Sequence, residues 1–328
     1  MTEFDLIARY FTRPAKHADA KVALGVGDDC AIINPTPGMQ LVMSSDMLVE
    51  GRHFFSDVSP YSLGHKALAV NLSDLAACGA TPVAFTLALA LPSVDEAWLQ
   101  QFSRGLWALA DAQGCALVGG DTTQGPLNIC ITVFGEVPRG RALLRSGAQV
   151  GDDIYVSGTL GDARLALEAL QGKIDLPPEI LASARQRLEL PTPRVELGTA
   201  LRGIATSCID ISDGLAGDLG HILKASGVGA RIDATVAITL IASGACNDWA
   251  RGQFIAERQL NLVLSGGDDY ELAFTAPPTA RQAVQAASAS SQTPVTRIGA
   301  IQNQPGLRLV DDCGQRVAAS FKSFDHFA

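Results

Sequence analysis

The chain has 328 residues, 47% of them hydrophobic and 18% charged, with a formal net charge of −9. That length suits two domains, and that apolar content excludes a disordered protein. The acidic balance excludes nucleic acid as the main partner, because phosphate backbones recruit Lys/Arg surfaces, although divalent cations can reconcile acidic sites with anionic substrates.

The N-terminus, MTEFDLIARYFTRP, carries acids and no apolar core of the signal-peptide kind. The longest apolar runs fall short of the roughly 18 residues a membrane helix needs. Seven cysteines form an odd set with no CxxC pair. They give neither a complete disulfide framework nor a zinc-ribbon signal, and those at apolar positions, Cys115, Cys130 and Cys208, read as small buried hydrophobes in a reducing compartment. The expectation is a soluble cytoplasmic protein with no membrane partner.

In chain order, QLVMSSD, TLALALP, CALVGGD and NICITVFGEV read as strands in the first half, and DDIYVSG, TSCID, GARID, LVLSGG and DYELAFT in the second. Helices are expected between them. SLGHKALAVNLSDLAACG has Ser62 as its cap and Gly79 as its stop. DEAWLQQFSRGLWALADAQG puts Trp98, Phe102, Leu106 and Leu109 on one core-facing stripe. DGLAGDLGHILKAS and the stretches around 161–171, 179–189 and 194–203 complete the helical set. Strands alternating with helices argue for α/β or α+β layers. The polar, Gly-containing passage at 141–153 marks the boundary, giving domains 1–145 and 146–328. NLSDLAACGA and DISDGLAGDLG form a weak internal echo.

Six short motifs set aspartates beside glycine, serine or each other: GVGDDC, SSD, NLSD, GGDT, DISDG and GGDDYEL. One Asp beside Gly reads as a turn residue or a cap. Six such motifs, mostly at expected strand ends, read as carboxylates converging at a sheet edge, where α/β proteins build sites. Converging acids repel unless a cation sits among them, and oxygen-only ligands favour Mg²⁺ or Ca²⁺. The glycine pairs allow close backbone approach, and the helix after DISDG would present free N–H groups. Together they suggest a nucleotide-phosphate site without any Walker, Rossmann or kinase signature.

Taken in order, GVGDDCA, SSDMLVEGRHF, KALAVNLSDLAACGATP, GGDTT, RSGA, DISDGLAGDLGHI, SGGDDYEL and FDHF resemble the thiamine-monophosphate kinase family. That family lies in the superfamily of aminoimidazole ribonucleotide synthetase and selenophosphate synthetase. The resemblance covers nearly the whole chain. It implies an α/β (α+β) two-domain PurM-like fold, with an N-terminal mixed sheet that pairs across a homodimer and a C-terminal α/β sandwich domain. It also implies ATP- and Mg²⁺-dependent, direct in-line phosphorylation of thiamine monophosphate to thiamine diphosphate, with no covalent nucleophile.

Carried over by position, the resemblance implies that Asp29, Ser44, Ser45, Asp46, Asp74, Asp121, Asp210 and Asp213 hold Mg²⁺. Gly120, Asp121, Arg145 and Ser212 would contact ATP, and His53, Asp268 and Phe324 would lie around the thiamine substrate, while Asp28 orients its neighbour or binds metal through water. Ser44-Ser45-Asp46 stands where the family commonly reads Ser-Thr-Asp, Gly266-Gly267-Asp268 where GGE is common, and Phe324 where Tyr or Trp is frequent. The alternatives are another ATP-dependent enzyme of the superfamily, such as aminoimidazole ribonucleotide synthetase, or a non-catalytic divalent-cation-binding protein.

Overall fold

The computed structural model describes residues 2–13, 21–242 and 244–317. The chain divides into two compact units, one of Met1–Leu75 with Ala80–Gly140 and the other of Ala76–Gly79 with Arg141–Ala328.

In the first unit, β1 (Val22–Leu24) and β2 (Ile32–Ile33) form a small antiparallel ladder. A four-stranded mixed sheet follows, built from β3 (Met39–Val49), β4 (Thr81–Leu91), β5 (Ala116–Gln124) and β6 (Asn128–Pro138), in the order β3-β6-β4-β5. β6 is antiparallel to both neighbours, and β4 and β5 run parallel. The helices Pro60–Ala77 and Glu96–Gln113 cross closely, since a Cβ on Gly64 would lie 2.1 Å from the Phe102 carbonyl oxygen. Leu68, Leu72, Leu75, Phe102 and Leu106 are wholly buried.

The expected Ser62 cap is three residues too late, since the cap position is Ser59. The helix begins at Pro60, a residue that suits the first helical turn because its missing N–H would be unpaired there anyway. The Glu96–Gln113 helix has Asp95 as its N-cap, accepting the amides of Ala97 and Trp98, and left-handed Gly114 as its C-cap. Asp46 and Asp121 do not end their strands, as the sequence suggests, because β3 and β5 each run three residues further. Both strands are sheet edges, where an aspartate, poorly suited to a central strand, keeps access to water or to a partner.

In the second unit, β7 (Asp153–Ser157), β8 (Ser207–Ile211), β9 (Gly229–Asp233), β10 (Glu271–Ala276), β11 (Val295–Gln302) and β12 (Gly306–Val310) form one sheet in the order β12-β9-β11-β7-β10-β8. Only β12 and β9 pair in parallel. β7, β8 and β10 are buried along their whole length, so their apolar residues fall on both faces rather than at alternate positions. Ile154, Val156, Ile209, Ile211, Leu219 and Ile222 share one core with the surrounding helices.

The stretch LVLSGG is not a strand. Leu262–Ser265 closes the helix Ala256–Ser265, and a short buried apolar run cannot be told from a strand by periodicity alone. The Ala/Ser/Gln run after 281 is the helix Arg281–Ser290. Among the described residues no helix is long and apolar enough to cross a membrane.

Candidate active site

In the first unit the acids are placed by β3 and the helix above it. Ser44 Oγ donates to Asp74 Oδ2 at 2.5 Å. The Asp46 amide donates to Asn71 Oδ1 at 3.0 Å, and Asn71 Nδ2 donates to the Ala67 carbonyl at 3.0 Å. Asn71 is 1% exposed. Its two bonds therefore settle which end of the amide faces β3, and they satisfy an amide on a strand that has no neighbour on that side. Ser44, Asp46 and Asp74 thus form one oxygen-rich group.

Ser45, one residue along the strand, points to the other face. Its hydroxyl bonds the Ile131 carbonyl at 3.1 Å and the Thr132 hydroxyl at 3.0 Å. Asp121 is exposed, pairs in register with Ala88, and lines a hollow of about 440 Å³ with Met47, Asn128 and Cys130. Its neighbour Gly120 has φ +147°, and a Cβ there would lie 1.8 Å from the Leu87 carbonyl oxygen. That glycine is required by the close approach of β5 to β4. The structure therefore groups Ser44, Asp46 and Asp74, and sets Ser45 and Asp121 on the opposite face of the sheet.

Asp28 and Asp29 are both exposed, and Asp28 Oδ1 accepts the Asp29 amide at 2.8 Å. The segment that carries them is held at its base by Glu136, 1% exposed. Glu136 accepts from Lys21 Nζ at 3.0 Å and from the Thr36 amide and hydroxyl, both at 2.7 Å. Burial alone would raise this carboxyl, but the Thr36 bonds and the Lys21 charge outweigh it and hold it below its usual range. His53 Nδ1 accepts the Val49 amide at 3.0 Å, which in the neutral ring puts the proton on Nε2.

In the second unit, β8 delivers Asp210 and runs through Ser212 and Asp213 to Gly214, where the helix Leu215–Ser226 starts. Asp218 lies in its first turn, 3% exposed, and its Oδ2 accepts the amides of Ser212 and Asp213, both at 3.1 Å. The free N–H groups expected around this turn are therefore partly spent inside the protein. Burial pushes the Asp218 carboxyl up to about 7; the two amides and the charge of Arg145 pull the other way.

The GGDDYEL segment docks onto the same turn. The Asp268 amide donates to the Ser212 carbonyl at 2.8 Å, and the Tyr270 amide to the Ile211 carbonyl at 2.9 Å. Asp268 and Tyr270 both hold positive φ, +67° and +51°. That is a backbone region non-glycine residues seldom adopt, and here the flanking hydrogen bonds hold it in place. Asp269, between them, is buried and accepts the Gly161 amide at 2.9 Å. Its carboxyl is pushed well up by burial. Backbone bonds thus tie the segment carrying Asp268 to the turn that carries Ser212 and Asp213 and follows Asp210, with the Arg145 charge within reach of Asp218. Phe324 lies outside the described residues.

Sequence reasoning missed Asp218, Asp269 and the buried Glu136. The available signal for Asp218 was its place one turn into the helix after DISDG, where a first-turn acid can reach back to preceding amides.

The chain matches the family models for the AIR synthase related protein N-terminal domain, over residues 27–137, and C-terminal domain, over residues 149–312. It is 47% identical to a thiamine-monophosphate kinase of Escherichia coli (strain K12) over 328 residues, covering 99% of this chain and 98% of the relative. A crystal structure of thiamine-monophosphate kinase from Stenotrophomonas maltophilia K279a superposes with a TM-score of 0.82 at 45% identity, covering 89% of this chain and 92% of that one. A structure of AaThiL complexed with AMPPCP and TMP superposes with a TM-score of 0.76 at 30% identity, covering 90% and 89%.

Proposed function

The chain belongs to the thiamine-monophosphate kinase family of AIR synthase related proteins, and we propose that it transfers the γ-phosphoryl group of ATP to the phosphate of thiamine monophosphate, giving thiamine diphosphate and ADP. The observation that carries this reading is identity at 47% along essentially the whole chain. The relative solved with an ATP analogue and TMP supports it.

The reaction needs positioning and charge neutralisation more than a protein nucleophile. An oxygen of the acceptor phosphate attacks the γ-phosphorus in line, the bond from that phosphorus to the β–γ bridging oxygen breaks, and ADP leaves with the electron pair. A phosphate monoester has its second pKa near 6, so the attacking oxygen is already anionic at neutral pH and no general base is required.

The carboxylates and hydroxyls form an oxygen-only donor set, which fits Mg²⁺. Ser44, Asp46 and Asp74 are the grouped donors in the first unit, with Asp29, Ser45 and Asp121 as further candidates; Asp210 and Asp213 are the candidates in the second. Bound there, Mg²⁺ would supply charge neutralisation on the phosphates of ATP.

Gly120, Asp121, Arg145 and Ser212 are assigned to the nucleotide. The Ser212 amide is bonded to Asp218 and its carbonyl to Asp268, so the group Ser212 offers a phosphate is its hydroxyl. His53, Asp268 and Phe324 are assigned to the thiamine substrate, where the Asp268 carboxylate would favour the cationic thiazolium ring.

The partner is a second copy of the chain. On β3 the side chains of Leu41, Met43 and Met47 are 55%, 64% and 52% exposed. At alternate positions they share one face of the strand. An apolar row of this kind on an open sheet face marks an association surface, and pairing of this sheet with its copy is the arrangement the family resemblance implies.

The test is incubation of the purified protein with Mg²⁺, ATP and thiamine monophosphate, following both products. Equal amounts of thiamine diphosphate and ADP are expected. ADP alone would reject thiamine monophosphate as the acceptor, and neither product would reject the kinase reading.

A further inference from the structure

Asp218 belongs to none of the site positions that the family resemblance assigns, yet more of the second unit's site hangs on it than on any other described side chain. Its Oδ2 takes the amides of Ser212 and Asp213. The carbonyl of the same Ser212 receives the Asp268 amide at 2.8 Å. One carboxylate oxygen therefore fixes the backbone from which the Ser212 hydroxyl and the Asp213 carboxylate project, and through Ser212 it fixes the start of the Asp268–Tyr270 segment.

The helix itself has no other device at this end. Its N-cap is Gly214, at φ +108°, with no side-chain cap. A capping box places an acid in the first turn that reaches back to an amide before the helix. Asp218 reaches further back, to two successive amides, and it does so while 3% exposed. A buried acceptor with two donors holds a turn tightly, because losing it strands both N–H groups in a poorly hydrated place.

We propose that Asp218 is a positioning residue for phosphoryl transfer, acting by holding the Ser212–Asp213 turn through one acceptor oxygen and so aiming Ser212, Asp213 and Asp268. It rests on the function proposed above. The requirement is for an acceptor oxygen of the right reach rather than for a charge. Asparagine, whose carbonyl oxygen has the same reach, satisfies it; leucine, of similar shape and without an acceptor, does not.

The experiment compares the full-length wild type with Asp218→Asn and Asp218→Leu. The first readout is amide exchange over residues 211–214 in protein free of nucleotide and metal. The second is kcat and KM for ATP and for thiamine monophosphate. Asp218→Asn is expected to keep slow exchange and to stay within about threefold of wild-type kcat. Asp218→Leu is expected to speed exchange of the Ser212 and Asp213 amides at least about tenfold and to lower kcat about 100-fold, the scale on which displaced catalytic groups cost rate. Should the leucine variant fail to fold, Asp218→Ser, which is shorter and falls out of reach, takes its place.

Unchanged exchange in the variant lacking the acceptor overturns the proposal. So does an asparagine variant as slow in turnover as the leucine one, since that would make the charge, not the oxygen, the requirement. A wild type that makes no thiamine diphosphate would defeat the functional reading instead, and the exchange comparison would still decide whether Asp218 holds the turn.

Discussion

Arg194 grips Glu271 with both arms of its guanidinium, Nε at 2.7 Å from Oε2 and Nη2 at 2.5 Å from Oε1, and the carboxylate is wholly buried. Arg187 Nη2 adds a third bond at 2.8 Å, and Ser157 Oγ a fourth at 2.5 Å. Ser157 Oγ in turn accepts the Leu272 amide at 2.8 Å. This knot sits at the start of β10, directly after the segment that carries Asp268.

Removing the carboxylate leaves two mostly buried guanidinium groups without their anion. Glu271→Ala is expected to destabilise the protein by about 3–5 kcal/mol, the cost of breaking a buried pair from one side. Urea denaturation followed by tryptophan fluorescence measures it; a loss below about 1 kcal/mol would show that the arginines find other partners.

Gly105 is set against Tyr61 where the two helices of the first unit cross. A Cβ at position 105 would lie 1.9 Å from the Tyr61 carbonyl oxygen. Gly105→Ala is therefore expected to cost about 1–3 kcal/mol by overpacking, despite alanine's better helix propensity. The same denaturation measurement checks it, and a stabilised variant would contradict the close crossing.

The grouping of Ser44, Asp46 and Asp74 predicts which substitutions stop turnover without unfolding the protein. Asp46→Ala and Asp74→Ala should each lower kcat by about 100-fold or more, equivalent to several kcal/mol of lost phosphate neutralisation. Both should keep wild-type thermal stability in the absence of nucleotide, since converging acids repel without a cation. Normal activity in either would remove that residue from the proposed Mg²⁺ site.

Asp153 carries the clearest acid sensitivity in the second unit. Arg281 donates to it at 2.7 and 2.9 Å and Arg297 at 3.1 Å. The Arg281 bonds hold its carboxyl below the usual range, against burial and with help from Arg297. A carboxyl depressed in the folded state stabilises it at pH values above the ordinary aspartate pKa, about 3.9, and that contribution disappears as pH falls through the lower folded value. Asp153→Asn should thus cost on the order of 1 kcal/mol at pH 7, modest because both arginines are half-exposed. The gap from wild type should close below about pH 4. A gap that persists there, in denaturation series across pH, would place the effect in packing rather than charge.

The open row on β3 predicts oligomeric state. Met43→Glu should shift the protein from dimer toward monomer in sedimentation velocity, because a charge facing its own copy across a two-fold interface is doubled by symmetry. A wild type that sediments as a monomer at all concentrations would reject the dimer outright.

Much of this protein was legible in the residues themselves. The stripe of Trp98, Phe102, Leu106 and Leu109 reads directly as a core-facing helical side, because a 3.6-residue period sets the four on one face; Phe102, Leu106 and Leu109 are buried, and Trp98, in the first turn, is only half-buried. The buried strands DIYVS and SCIDI are equally plain, since both of their faces are covered and every residue is buried. LVLSGG failed for the complementary reason: a short apolar run carries no period long enough to distinguish strand from helix.

The acids mark the limit more clearly. Local chemistry alone identifies aspartates beside serine and glycine as candidate ligands, because those residue types suit cations and close backbone approach. It does not say which side of a strand each one faces. Ser44 and Ser45 are neighbours in the chain and lie on opposite faces of β3, a separation decided by strand alternation within the sheet and by Asp74 standing over only one face. Asp218 was a helix residue like any other until the fold buried it and brought two amides to its oxygen. Sequence determined the kinds of group present and the elements that carry them. Only the packing of helix on turn and strand on strand decided which of those groups meet, because hydrogen bonds and buried charges depend on distances that no sequence spacing specifies.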